Sequence, residues 1–182
     1  MFDIDGYKVG GVVFSEEQLA KRVKELGAEI SRDYKGKKLL VIGILRGAVM
    51  FFSDLVRAID LDIEIDFMAA SSYGNGTVST GVISIKKEPD AILEGRDILL
   101  VEDIIDTGNT LKYLKDSYFR DKKVKSVKVC TLLDKPVRRT ADIIPDYKGF
   151  EVDDRFIIGY GLDYQERFRQ LPHITYLVPD EK

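Results

Sequence analysis

The chain has 182 residues, enough for one compact domain with a substantial core and too few for two generous ones. Its formal net charge of −3 excludes generic electrostatic attachment to nucleic acid, and with 45% hydrophobic and 32% charged residues it has the make-up of an ordinary globular protein. One cysteine, Cys130, excludes an intrachain disulfide and suits a reducing compartment. The opening MFDIDGYKVGGVVF has neither the basic region nor the apolar run of a signal peptide, and no stretch reaches the roughly 18 apolar residues of a membrane span. A cytoplasmic location with no membrane partner is the expectation.

Ser15-Glu16-Glu17-Gln18 has the capping-box pattern and opens a predicted helix to about Ile30, with Leu19, Val23, Leu26 and Ile30 at helical spacing. KKLLVIGIL (37–45) is a continuous apolar run, as expected of a parallel strand covered on both faces. Arg46-Gly47 breaks it, and AVMFFSDLVRAI (48–59) predicts a helix whose apolar face suits either the core or a contact between copies. DIEIDFMAA (62–70) begins with alternation and predicts a second strand. SSYGNGTVSTG (71–81) is small, polar and without hydrophobic period; it reads as a hairpin connection or, given its length, as a lid. A short strand near 82–85, a strand over 97–101, a helix from about 109 to 119 and a strand over 124–133 come next. SVKVCTLL places Cys130 in that last strand as a small buried hydrophobe. A loop spans 134–142, and the final third alternates aromatic and apolar residues with charges, as short strands and loops do. Strand and helix alternate throughout, so the expected fold class is α/β, a mainly parallel twisted sheet with helices on both faces.

LLVEDIIDTGNT (99–110) carries the chemistry. Glu102, Asp103 and Asp106 crowd like charges that burial makes costly unless a cation or donor compensates them. In open α/β sheets ligands gather beyond the carboxyl ends of strands, and a strand ending at 101 puts Glu102 and Asp103 at that rim. Thr107-Gly108-Asn109-Thr110 leads into a helix, supplying backbone amides, two hydroxyls and a positive dipole end for an anion. Acids beside an anion cradle suit a ribose 5-phosphate, with its hydroxyls or a metal next to the phosphate. A nucleoside-triphosphate loop would need a lysine where Asn109 stands, and a dinucleotide fingerprint would need further glycines. LLVED also resembles the acid pair of a phospho-receiver domain, but a strand–helix–strand portion already precedes it and too few residues remain after it. Simple capping of the helix would account for Asp106 and Thr107 but not for Glu102 and Asp103.

LLVEDIIDTGNTL resembles the phosphoribosyl-pyrophosphate (PRPP) motif of type I phosphoribosyltransferases. ILRGAVMFFSDL, SSYGNG, TLLDKP and FIIGYGLDYQERFR, in that order over roughly 40–170, narrow the resemblance to the 6-oxopurine branch, whose bacterial members act on hypoxanthine and guanine. The family's motifs show no evident departure here, although the residue after Gly108 varies among relatives.

The resemblance implies a single domain over 1–182, with a core of about 37–145 and a small hood from about 1–14 and 146–182. It implies displacement of pyrophosphate at ribose C1 by a purine nitrogen, giving IMP, GMP and XMP in purine salvage. Glu102 and Asp103 would hold the ribose hydroxyls directly or through Mg²⁺-bound water, Mg²⁺ being the implied cofactor. Residues Asp106, Thr107, Gly108, Asn109 and Thr110 would cradle the 5-phosphate, and Asp106 would accept the purine N7 proton. Lys135 would donate to the purine C6 oxygen, which an amino group could not accept in its place. Phe156 would stack on the base, the Ile157 carbonyl would accept from its N–H edge, and Asp163 would border the purine and serve as a second Mg²⁺ ligand. Arg46, Gly47 and Arg169 would meet pyrophosphate, with Leu45-Arg46 able to be cis, and Ser72 and Tyr73 would close over it from the 71–81 loop. The implied partners are PRPP, a 6-oxopurine and further copies of the chain as dimer or tetramer. A regulatory PRPP sensor or a transferase to pyrimidines is the competing reading; LLDKP and FIIGYGLDY oppose the latter. His173, the sole histidine, sits beyond these motifs and reads as a structural or surface residue, and one histidine excludes any histidine cluster for metal.

Overall fold

The computed structural model describes residues 6–72 and 83–180. The chain forms β1 (Tyr7–Val9), α1 (Glu16–Asp33), β2 (Leu39–Ile44), α2 (Val49–Ala58), β3 (Glu64–Ser72), β4 (Ile83–Lys87) and β5 (Asp97–Ile105). A helical run comes after β5: α3 (Asn109–Tyr113), a π turn (Leu114–Tyr118) and α4 (Phe119–Asp121). Then come β6 (Ser126–Asp134), a 3₁₀ turn (Pro136–Arg138), β7 (Tyr147–Glu151), β8 (Phe156–Ile158) and β9 (Thr175–Pro179).

α1 starts where its cap predicts: the Gln18 amide donates to Ser15 Oγ and the Ser15 amide to Gln18 Oε1. Its buried stripe is Leu19, Val23, Leu26 and Ile30. β2 is buried at every residue, which explains the unbroken apolar run. Successive side chains of β2 and β5 go to opposite faces: Val41, Leu99 and Val101 pack with α1 and α2, whereas Leu40, Ile42, Ile98 and Leu100 pack with Leu111, Leu114 and Phe119 of the helical run.

The large sheet has the order β4-β3-β2-β5-β6-β7, all parallel except the β3–β4 pair. The chain leaves β2 toward β3 on one side and returns as β5 on the other, so strand order reverses between β2 and β5. Such a switch point opens a crevice beyond the carboxyl ends of the two strands. A second sheet, β1-β9-β8, joins both ends of the chain. β7, within the stretch expected to serve as hood, instead extends the edge of the large sheet.

Two boundaries differ from expectation for a shared reason. β5 runs to Ile105 rather than ending at 101, because β6 pairs with it through Ile105↔Asp134; Glu102 and Asp103 are strand residues, not loop residues. β3 runs to Ser72 because β4 pairs with it there, so the polar SS dipeptide begins as strand. In both cases ladder pairing overrode polar composition. Of the 71–81 stretch, where a hairpin connection or a lid was expected, residues 73–81, Tyr73 included, lie outside the described residues.

Candidate active site

The register Gly43↔Val101 sets Glu102 level with the end of β2, so the turn Leu45-Arg46-Gly47 and the acids of β5 form facing walls. Leu45-Arg46 is cis. Gly47 is required by contact, since a Cβ there would overlap Asp103 Oδ2. The turn therefore lies directly against that carboxylate. Between the walls is a cleft of about 860 Å³, lined by residues 44–47, Ala69, Ala70, Lys86, residues 102–111, Asp163 and Arg169. Its size is that of a small-molecule site.

The floor is the loop from Asp106 to Thr110. Gly108 has φ +82°, and this left-handed residue turns the chain from β5 into α3. The Thr107 carbonyl accepts from the Thr140 and Ala141 amides at 3.1 and 3.0 Å, so the loop is braced from behind. Asp106 has one carboxylate oxygen, Oδ1, buried without a hydrogen-bond partner among the described residues. Its Oδ2 lies 3.4 Å from Arg138 Nη1. The side chain as a whole is 40% exposed and lines the cleft, while this oxygen is an unmet buried acceptor.

Burial, and secondarily the adjacent Asp103, hold the Glu102 carboxyl well above the ordinary carboxylate range. Asp103 is raised too, burial leading, while Glu102, the Ile104 amide and the Arg169 charge pull the other way. The donors are all oxygen, and their joint ionisation is disfavoured until a cation arrives. That set fits a magnesium ion, which binds through one or two carboxylates plus water and substrate oxygens. Among the described residues no three Asp, Glu, His or Cys side chains converge as a metal-ligand group. Asp163 is engaged elsewhere: its Oδ1 pairs with Arg169 Nη2 at 2.8 Å and its Oδ2 accepts from the Glu166 amide.

A side pocket of about 240 Å³ opens off the cleft and shares Asp103, Ile104, Asp106 and Asp163 with it. Lys135, Arg138, Phe156, Ile157 and Leu162 complete it. Lys135 is only 6% exposed, unusual for a lysine, and donates to the Arg155 carbonyl at 3.0 Å. Phe156 is 52% exposed despite lying in a strand and meets Tyr164 edge-on, so it is no core residue. Arg46 lines the cleft, and its guanidinium reaches Glu166. Arg169 donates to the Gly161 carbonyl at 2.7 Å.

The structure thus gathers Glu102, Asp103, residues 106–110, Arg46, Gly47, Asp163 and Arg169 around one cleft, and Lys135, Phe156 and Ile157 around its annex. Ser72 closes β3, and Tyr73 lies beyond the described residues. Sequence reasoning missed Lys86 and Arg138. Arg138 carried a signal, since it lies just beyond Lys135 within DKPVRRT, but Lys86 sits on an edge strand without a motif.

Residues 13–165 match a family model described as "Phosphoribosyl transferase domain". The hypoxanthine-guanine phosphoribosyltransferase of Bacillus subtilis (strain 168) is 55% identical over 168 residues, covering 92% of this chain and 93% of that protein. The enzyme of the same name from Streptococcus thermophilus (strain CNRZ 1066) is 49% identical over 166 residues, covering 91% and 92%. A crystal structure of a hypoxanthine phosphoribosyltransferase from Staphylococcus aureus superimposes with a TM-score of 0.90 at 47% identity, over 94% of this chain and 92% of that one.

Proposed function

The chain belongs to the phosphoribosyl transferase family, and from that premise we propose that it is the purine-salvage enzyme joining the 5-phosphoribosyl group of PRPP to N9 of hypoxanthine and guanine. One observation carries this reading: the carboxylate-and-amide cleft and the lysine pocket share Asp103, Asp106 and Asp163 as a common wall. A sugar phosphate in the first meets a flat base in the second at that wall.

Glu102 and Asp103 hold the ribose hydroxyls, and the amides and hydroxyls of residues 107–110 take the 5-phosphate. Arg46, the Gly47 backbone and Arg169 face the pyrophosphate end; Ser72 and Tyr73 close over it to exclude water. The Asp106 carboxylate accepts the N7 proton as N9 attacks C1. Lys135 donates to the C6 oxygen, Phe156 stacks on the ring and the Ile157 carbonyl accepts from the base. Glu102 and Asp103, with Asp163 on leaving its pair with Arg169, would hold magnesium, which would supply charge neutralisation for the departing pyrophosphate. Xanthine is a third substrate of this pocket.

The molecule is a single domain in which the small β-sheet forms a hood over the core. It works in the cytoplasm, a reading its lone cysteine supports, as a dimer or tetramer. No helix among the described residues is long and apolar enough to cross a membrane.

Steady-state assay with PRPP and Mg²⁺ against hypoxanthine, guanine, xanthine, adenine and uracil tests the proposal. Formation of IMP and GMP is expected, with adenine disfavoured by as much as about 10⁴-fold because its amino group cannot accept from Lys135. Efficient AMP formation would remove the role given to Lys135. PRPP binding without turnover of any base would instead mark a sensor.

A further inference from the structure

Arg139 lines neither the cleft nor its annex, yet its side chain is 15% exposed and its guanidinium is fully engaged behind the phosphate loop. Nε donates to the Asp106 carbonyl at 3.0 Å, Nη2 to the Ile105 carbonyl at 3.2 Å and Nη1 to the Ile143 carbonyl at 2.7 Å. Nη2 also pairs with the Asp134 carboxylate, itself buried and joined by Lys148 at 3.3 Å. Directly beside the arginine, the Thr140 and Ala141 amides hold the Thr107 carbonyl. Three successive carbonyls, those of Ile105 (which also accepts from the Lys135 amide at 3.0 Å), Asp106 and Thr107, are therefore turned toward the 135–141 segment, with Arg139 the partner of the Asp106 carbonyl.

In a trans peptide the carbonyl and the next residue's N–H point to opposite sides. Pinning those carbonyls turns the amides of Asp106, Thr107 and Gly108 away from Arg139, on the side where residues 105–110 border the cleft. Only a planar fork with five donors satisfies three carbonyls and a carboxylate at once; a lysine ammonium has three donors converging on one nitrogen.

We infer that Arg139, fastened by Asp134, is a positioning residue that templates the phosphate-binding loop: it orients the row of amides that takes the ribose 5-phosphate and steadies the backbone that carries Asp106. The inference rests on the functional reading above and deepens it.

The test compares GMP with guanosine, which lacks only the phosphate, by calorimetry on the full chain and its Arg139→Lys, Arg139→Gln and Asp134→Asn variants. Losing charge-assisted hydrogen bonds behind the loop is expected to weaken GMP by about 10- to 100-fold in the Arg139 variants. Guanosine affinity stays as in the parent, and KM rises for PRPP but not for hypoxanthine. Asp134→Asn, which loosens the arginine without removing it, shifts GMP in the same direction by less. Equal losses for GMP and guanosine, or none in a folded variant, overturn the inference. Should every variant fail to fold, the amide resonances of Thr107 and Gly108 in the unaltered protein decide: they shift with GMP and not with guanosine, and indifference to GMP overturns the inference. An unaltered protein that binds neither GMP nor PRPP would sink the functional reading itself, a result distinct from these.

Discussion

Asp106 presents a buried carboxylate oxygen with no partner among the described residues, at the wall shared by the cleft and its annex. The proposed role as proton acceptor rests on the 40% exposed side chain at that wall, where the proposed sugar and base sites meet. Asp106→Asn removes the basicity while keeping the shape. Turnover is expected to fall by about 10²–10⁴-fold, with KM for PRPP nearly unchanged, in steady-state assay of a variant whose melting temperature matches the parent. Lys135 shows how a residue's environment converts a common side chain into a selective one. At the surface it would be a solvated turn lysine; at 6% exposure it donates to the Arg155 carbonyl and has Asp154 Oδ1 at 3.8 Å, and a further acceptor in the side pocket would complete its three donors. Both residues were readable as candidates from their motifs. Arg138 shares the DKPVRRT stretch with Lys135, but its 3.4 Å approach to Asp106 depends on the 3₁₀ turn just beyond Lys135 and was not foreseen.

At the scale of the elements, the junctions at strand ends decide the shape of the site. The β2–α2 turn lies so close to β5 that Gly47 has no room for a side chain beside Asp103. Gly47→Ala must push the Asp103 carboxylate aside or lift the turn proposed to face pyrophosphate. Misplacement on the order of an ångström is expected to lower kcat/KM by about 10²-fold. Overpacking is expected to cost about 1–3 kcal/mol in a denaturant titration. An active Gly47→Ala variant would show that the two walls approach each other less tightly in solution. A helix from about 109 to 119 was expected, but the π turn at Leu114–Tyr118 was not, since hydrophobic spacing barely distinguishes one extra residue per turn.

Across the whole molecule, stability depends on acids far from the cleft. Burial works against the ionised Asp66, but the amides of Ala91, Phe67 and Asp90 and the charge of Lys87 outweigh it and hold its carboxyl below the ordinary range. Asp97, opposed likewise by burial, is lowered by the Ser126 hydroxyl and Lys125. Folded values below the unfolded ones mean stability that is fully present above the ordinary aspartate range and lost as pH falls through the folded values. Thermal unfolding between pH 7 and pH 3 should therefore show a melting temperature that drops as acidity passes below about pH 4. Asp66→Asn and Asp97→Asn are expected to flatten the drop. A melting temperature indifferent to acid would contradict the sign.

Composition and period determined the α/β class, the order of the elements from α1 to β6 and the location of the chemistry in LLVEDIIDTGNT, because these are properties of contiguous residues. The capping box marked the start of α1 to the residue, since both partners lie within one helical turn. Where β5 ends, that Phe156 is exposed, and that Arg139 reaches Asp106 from 33 positions away were decided only by assembly, whereas the burial of Cys130 was expected from its strand. Strand length is set by the neighbour a strand pairs with, and exposure by what covers a face. Both are supplied by segments distant along the chain, to which local pattern is blind.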